Sequence, residues 1–304
     1  ALISVIMTFA NMIDMLTVNP CIKAAMKASP HTFDSLISDK LTADMIPNFI
    51  YGSYTGLAVT VFGLVPTITA MFGKSILPSL AESCAKNDKK AMQSGLTKML
   101  IVTSIIAIPA GMGIAVLSEP ILRFLFGGRE TEIQVCIMPL SILGIAVIFL
   151  AIATPCFSIL QTLGKPHKAI IIMLAGGIIK LFLNIILIRQ PVINISGAAI
   201  STLVSEVFIC VLSVRSVCKM TDLKPKVSEI FVKPTYAAIM CSVTAILSHE
   251  TLTKIAHLQI NHRSVTLFSI GIGSTMYFFC LYLLCETPKN IVNYIFSKKN
   301  PQNP

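Results

Sequence analysis

The sequence predicts an all-α membrane protein with about eight transmembrane helices. Three observations lead there. Of 304 residues, 54% are hydrophobic and only 12% are charged, where a soluble domain carries about 25% charge. The mean hydropathy is +0.80. The apolar residues gather into eight runs, each near the roughly 20 residues that cross a bilayer core about 30 Å thick. So few ionisable side chains could not cover a soluble globule of this size. A soluble enzyme, a disordered chain and a disulfide-stapled mini-protein are therefore excluded. The runs are too long for tilted strands and do not alternate, which excludes a membrane β-barrel.

The first run covers roughly 1–19. It opens on Ala1 without a cationic segment, and no cleavage site follows, so it does not read as a signal peptide. The expectation is that the chain is the C-terminal part of a longer protein. A loop is expected over roughly 20–48. The second run, about 49–81, is long for one span, and Pro66 is expected to kink it. The third, about 96–117, contains Pro109. The stretch 119–130, EPILRFLFGGRE, has too short an apolar run to cross and reads as an interfacial helix. The fourth run, about 133–160, holds Pro139 and Pro155. Such prolines are tolerated where neighbouring helices or water satisfy the freed carbonyls. The remaining runs are about 168–188, 194–216, 232–249 and 264–285. The tail over 290–304 reads as a short amphipathic stretch at the membrane surface.

The loop charges alternate. With the loop after the second run on the cytoplasmic side, that side carries fourteen Lys and Arg against five Asp and Glu. The opposite side carries eight against seven. This bias sets the orientation, with the C-terminus cytoplasmic. It also accounts for the net charge of +10, so the basic balance reports topology and not nucleic-acid binding.

Four charges fall inside the runs: Asp14, Lys74, Lys180 and Glu206. Charge in hydrocarbon is costly and usually faces a bundle interior or a wet cavity. Asn11 and Asp14 are three apart and share a helix face; Lys180 and Asn184 are four apart and do the same. The second run adds Tyr51, Tyr54 and Thr60, and the sixth adds Ser201, Thr202, Ser205 and Glu206. The functional reading is a polar cavity between helices. The rival reading is hydrogen bonding between helices around a buried ion pair. Asp14, Lys180 and Glu206 are the strongest cavity candidates, and Lys180 can pair with either carboxylate. Lys74, near the cytoplasmic end, is expected to snorkel. Gly56-Leu-Ala58 and Gly197-Ala-Ala199 open two spans of the same direction, the pattern of a diverged internal repeat.

Nine scattered cysteines without a CxxC pair read as small apolar residues. Five histidines form no HExxH or HxxxH pair, so no zinc site is expected. Without a Walker A sequence, an Asp-rich metal motif or a grouped catalytic set, the chain does not read as an enzyme. No cofactor is expected.

Several stretches carry a resemblance. YGSYTGLAVT (51–60), then Pro66-Thr-Ile-Thr69 and SILPSLAE (75–82), resembles the eighth helix of the polysaccharide-biosynthesis exporters. Thr154-Pro155 with Gln161-Thr-Leu-Gly164-Lys165-Pro166 resembles their tenth helix and the cytoplasmic turn after it. The stretches from Ile179 to Asn184 and from Ile195 to Thr202 resemble the eleventh and twelfth. The group resembled is that of stage V sporulation protein B. It is related to the MurJ-type lipid II flippases, in the superfamily of the MATE drug exporters.

That resemblance implies a 14-helix protein with two six-helix lobes and two extra helices. The eight runs would be helices seven to fourteen. Residues 1–219 would form the C-terminal lobe, and 220–304 the two extra helices and tail; the N-terminal lobe would lie outside this chain. Lipid II flippases carry an arginine in the outer half of the eighth helix, where this chain reads Tyr54-Thr-Gly-Leu-Ala-Val-Thr60. A related undecaprenyl-linked glycan therefore stands beside lipid II as substrate. The implied function is export of a lipid-linked saccharide across the bacterial cytoplasmic membrane by alternating access, with coupling to H+ or Na+ left open. Two alternatives stand: a cation-coupled MATE-type drug exporter, and a membrane scaffold subunit without transport.

Overall fold

A computed structural model describes residues 2–29, 42–86, 88–222, 228–256 and 262–284. Among them there is no strand. Helix α1 spans Leu2–Ala28. The next rod is built from a 3₁₀ turn at Ala43–Met45, α2 at Ile46–Ser53, a π-turn at Tyr54–Val59 and α3 at Thr60–Ala85. Then come α4 (Lys89–Val116), α5 (Ser118–Phe126), α6 (Glu130–Thr162), α7 (Pro166–Leu187) and α8 (Ser196–Thr221). A second π-turn, Ser228–Val232, leads into α9 (Lys233–Ala256), and α10 is His262–Leu284.

Among the described residues, seven rods are long and apolar enough to cross a membrane: Ala43–Met71, Lys89–Val116, Glu130–Thr162, Pro166–Leu187, Ser196–Thr221, Ile230–Lys254 and Ser264–Leu283. Helix α1, with 27 residues, is about 40 Å long at 1.5 Å per residue and packs on α7, but it is not among these seven, where eight spans were expected. The rods leave large apolar side chains outside, among them Ile171 at 62%, Phe182 at 63% and Phe278 at 68% exposure. A bilayer solvates that surface; water would not. The chain is a multi-pass membrane protein.

The structure departs from the expected boundaries at α1. The helix does not stop near residue 19 but runs through Pro20 to Ala28. A proline inside a helix removes one backbone hydrogen bond, and the carbonyl it frees belongs to Leu16, at the 66%-exposed edge of the helix. The expected loop over 20–48 is correspondingly shorter, since helical structure resumes at Ala43. The second rod also departs from α geometry earlier than Pro66, at the π-turn. There the Thr55 hydroxyl donates to the carbonyls of Tyr51 and Gly52, and the Thr60 hydroxyl donates to the Thr55 carbonyl. These hydroxyls supply donors where the backbone register widens. The expected tail over 290–304 and the side chain of Lys74 lie outside the described residues.

Helix α6 is the central post. It packs against α3, α4 and α8 along most of its length. Its approach to α4 is close because Gly111 and Gly144 face each other: a Cβ on Gly144 would lie 2.5 Å from the Ala115 nitrogen. The Ser141 hydroxyl donates to the Ala115 carbonyl at 2.7 Å across the same crossing. Gly176 lets α7 approach Ile209 of α8. The stretch 119–130 forms the short α5, and Arg123 ties it to Glu119 and to Glu130 at the start of α6. Helices α9 and α10 pair with each other and lean on α4, where Tyr277 donates to the Ile105 carbonyl at 2.8 Å. At one end of the bundle Gln93 donates to the Thr221 and Asp222 carbonyls, joining the start of α4 to the end of α8.

Candidate functional site

Between α1, the first π-turn, α3, α6, α7 and α8 lies a cavity of about 240 Å³. Its charged lining comes from Asp14, Lys180 and Glu206. The buried helix faces bring these groups together. Asp14 lies on the face of α1 that packs on α7, and Lys180 on the face of α7 that receives it. Lys180 Nζ donates to Asp14 Oδ2 at 2.8 Å. The structure thus chooses Asp14 over Glu206 as the partner of Lys180.

The pair sits in a hydrogen-bond network. Asn184 Nδ2 donates to Asp14 Oδ1 and to Thr17 Oγ1, both at 2.9 Å. Thr17 donates onward to the Ile13 carbonyl, and Ser201 donates to Asn184 Oδ1. Asp14 is 4% exposed, Lys180 5% and Asn184 0%. Buried charges survive in an apolar setting when they are paired and hydrogen-bonded; here the two charges pair with each other, and each Asp14 oxygen accepts a bond. Glu206 differs. It faces the cavity, and its Oε2 is buried without a hydrogen-bond partner among the described residues.

The other nominated residues fall into place around this centre. Asn11 and Tyr54 line the cavity. Asn184 lies behind the lining, as the group that orients Asp14. Tyr51 is half-buried and Thr60 is exposed, and neither lines the cavity. Six positions along a helix place Thr60 about 120° around the rod from Tyr54, so the two do not share a face. Helix α6, not nominated, contributes Leu143, Leu150, Thr154 and Phe157 to the wall. Of these only Thr154 is polar, so composition offered little signal. Thr17 was legible in principle, three residues from Asp14 on the same face.

The turn after α6 is built as its sequence suggests. Gly164 has φ +71°, which favours glycine, and the amides of Gly164 and Lys165 donate to the carbonyls of Gln161 and Leu160. Pro166 opens α7, where its missing N–H has no helical partner to lose. Gln161 Nε2 is buried without a partner among the described residues. A larger hollow of about 900 Å³ lies beside α5, lined in part by Glu119, Arg123, Glu130 and Glu250. The Arg123 ion pairs there are about half exposed. The smaller cavity is the stronger site, since it holds its charges within the membrane-crossing rods.

The profile of the lipid II flippase MurJ family matches residues 50–266. The chain belongs to the MurJ family. It is 21% identical over 225 residues to lipid II flippase MurJ of Bacillus subtilis (strain 168), covering 72% of this chain and 40% of that protein. It is 22% identical over 184 residues to stage V sporulation protein B of the same organism, covering 59% and 34%. A solved structure of lipid II flippase MurJ in an inward closed conformation superposes with a TM-score of 0.63 at 18% identity, covering 78% of this chain and 49% of that one. That likeness establishes the MurJ fold. The chain spans less than half the length of these MurJ-family relatives. The matched region runs from α2 into the start of α10 and includes every cavity-lining element except α1.

Proposed function

We propose that the chain is the C-terminal part of a flippase for a lipid-linked saccharide, an oligosaccharide or peptidoglycan precursor. Residues 1–219 form one six-helix transporter lobe, and 220–304 form two added helices and a tail. The relatives extend beyond the part this chain covers, which supports a second lobe facing the cavity. The two lobes move the cargo by rocking around the site. The observation that carries this reading is the cavity of a MurJ-family chain, with three ionisable side chains held between apolar rods. Such groups mark transport pathways in membranes. The decisive experiment depletes the full-length protein and measures how much lipid-linked precursor becomes reachable from the outer surface. Flipping falls in depleted cells and returns with the wild-type protein. Unchanged flipping, there and in reconstituted vesicles, rejects the proposal.

The proposed location is the bacterial cytoplasmic membrane, with the loops after α3, α6 and α8 and the C-terminus inside. The lysines at 89, 90, 165 and 168 support that orientation. A cysteine placed at Lys165 in a background lacking Cys84 and Cys218 is labelled by an impermeant thiol reagent only after the membrane is opened. A cysteine placed at Arg129 is labelled in intact cells. The opposite pattern inverts the orientation.

A further inference from the structure

The larger hollow, of about 900 Å³, lies where four membrane-crossing rods end or begin. Val116 closes α4, Glu130 opens α6, Glu250 sits near the end of α9 and Thr266 near the start of α10, and all four line it. The place is one membrane surface, at the seam between α4, α5 and α6 and the pair α9 and α10. Its size falls within the roughly 300–1,000 Å³ of small-molecule sites.

Two chemistries share the lining. The first residues of α5 form one wall, and a helix start leaves N–H groups without partners inside the helix. Ser118 stands there at 5% exposure, and its hydroxyl has no hydrogen-bond partner among the described residues. A buried hydroxyl is ordinarily satisfied, so this one is open to a ligand. Arg123 donates from Nε to Glu119 and from Nη1 to Glu130, and its Nη2 makes no bond among the described residues. These are donors for a phosphate.

The rest of the polar lining is acidic. Glu119, Glu130 and Glu250 outnumber Arg123, and the balance of the described lining stays negative in either charge state of His249. Arg123 serves Glu119 and Glu130, whereas Glu250 is exposed and has no ion pair among the described residues. An anion alone meets this excess at a disadvantage. A ligand that carries an ammonium beside its phosphate does not. Ile137, Met138 and Ile246 continue the lining, with Met138 64% exposed, and such a surface suits a hydrocarbon chain.

We propose that the hollow holds a zwitterionic phospholipid with a primary-amine head, phosphatidylethanolamine, drawn from the leaflet at that end of the rods. Its phosphate sits at Ser118 and the start of α5, its ammonium at Glu250, and one chain lies along Ile137 and Ile246. The lipid fills the seam between α5 and the pair α9 and α10. The orientation given above makes this the outer leaflet, but binding depends neither on that orientation nor on transport.

The test uses the full-length protein, stripped of lipid in detergent, with binding read by native mass spectrometry. The probes are phosphatidylethanolamine, its N-acetyl derivative, which lacks the ammonium, and phosphatidylglycerol. Wild-type protein holds phosphatidylethanolamine about fivefold more tightly than either anionic lipid. Glu250→Gln brings the three within about twofold of one another. Ser118→Ala weakens all three by about threefold and leaves their ratios unchanged. Equal wild-type affinity for the three lipids, a preference that survives Glu250→Gln, or unchanged binding in Ser118→Ala overturns the proposal. Displacement of the lipid by phosphoethanolamine at equal concentration also overturns it, and assigns the hollow to a free headgroup. Unfolding temperatures show whether each variant is folded. The wild-type comparison of phosphatidylethanolamine with its N-acetyl derivative needs no variant and decides alone if neither is.

Discussion

Asp14→Ala lowers the stability of the folded protein by about 3–5 kcal/mol. The substitution strands the Lys180 ammonium, which is 5% exposed and bonded to Asp14 at 2.8 Å. It also frees Asn184 Nδ2 from Asp14 Oδ1. The reverse change, Lys180→Met, costs less, because Asn184 still donates to the carboxylate. Removing both charges as Asp14→Leu with Lys180→Met recovers most of the loss, since a buried ion pair is worth little against apolar residues of similar size. The measurement is unfolding of the full-length protein in detergent, for Asp14→Ala and for the cycle of Asp14→Leu, Lys180→Met and their double. A double variant as unstable as the sum of the singles shows that the two side chains do not interact.

Gly144→Ala costs about 1–3 kcal/mol through overpacking. The new methyl would lie 2.5 Å from the Ala115 nitrogen, 2.8 Å from its Cα and 2.8 Å from the Gly111 carbonyl oxygen. All three are backbone atoms, so no side-chain rotation relieves the contact, and α4 has to move away from α6. That separation also strains the bond from Ser141 to the Ala115 carbonyl. Gly113→Ala, on the facing helix α4, is the control. Nothing lies within 4 Å of its Cβ position, and alanine gains about 0.5–1 kcal/mol over glycine inside a helix. The two substitutions therefore shift the unfolding temperature in opposite directions. Equal shifts mean that α4 and α6 do not cross at these glycines.

The spans were legible in the sequence because hydropathy accumulates over twenty residues, and local details cannot reverse it. The short α5 was legible for the same reason, since its apolar run is too brief to cross. The end of α1 was not. Pro20 and Lys23 fall in the expected loop, yet the helix continues past them to Ala28. Hydropathy marks where a chain enters the membrane and not where its helix ends. The π-turn at Tyr54–Val59 was equally hidden. YTGLAV carries no marker of a widened register, yet two residues of that turn, Tyr54 and Val59, line the cavity. Asp14, Lys180 and Glu206 could be picked as a group because charge in a bilayer needs a reason. Which carboxylate takes the lysine depends on how α1, α7 and α8 pack, and no spacing within one helix encodes that.

The bond between Asp14 and Lys180 joins residues 166 positions apart. A ribosome adds about 5–20 residues per second, so α1 is made roughly 10–30 s before the helix that neutralises it. A lone aspartate at the centre of an inserting helix carries a penalty of about 2.5–3.5 kcal/mol. Until α7 arrives, the Asp14 carboxylate has no ammonium to pair with. Pairing of α1 with α7 is thus a late event in the making of this chain, timed by the synthesis of Lys180.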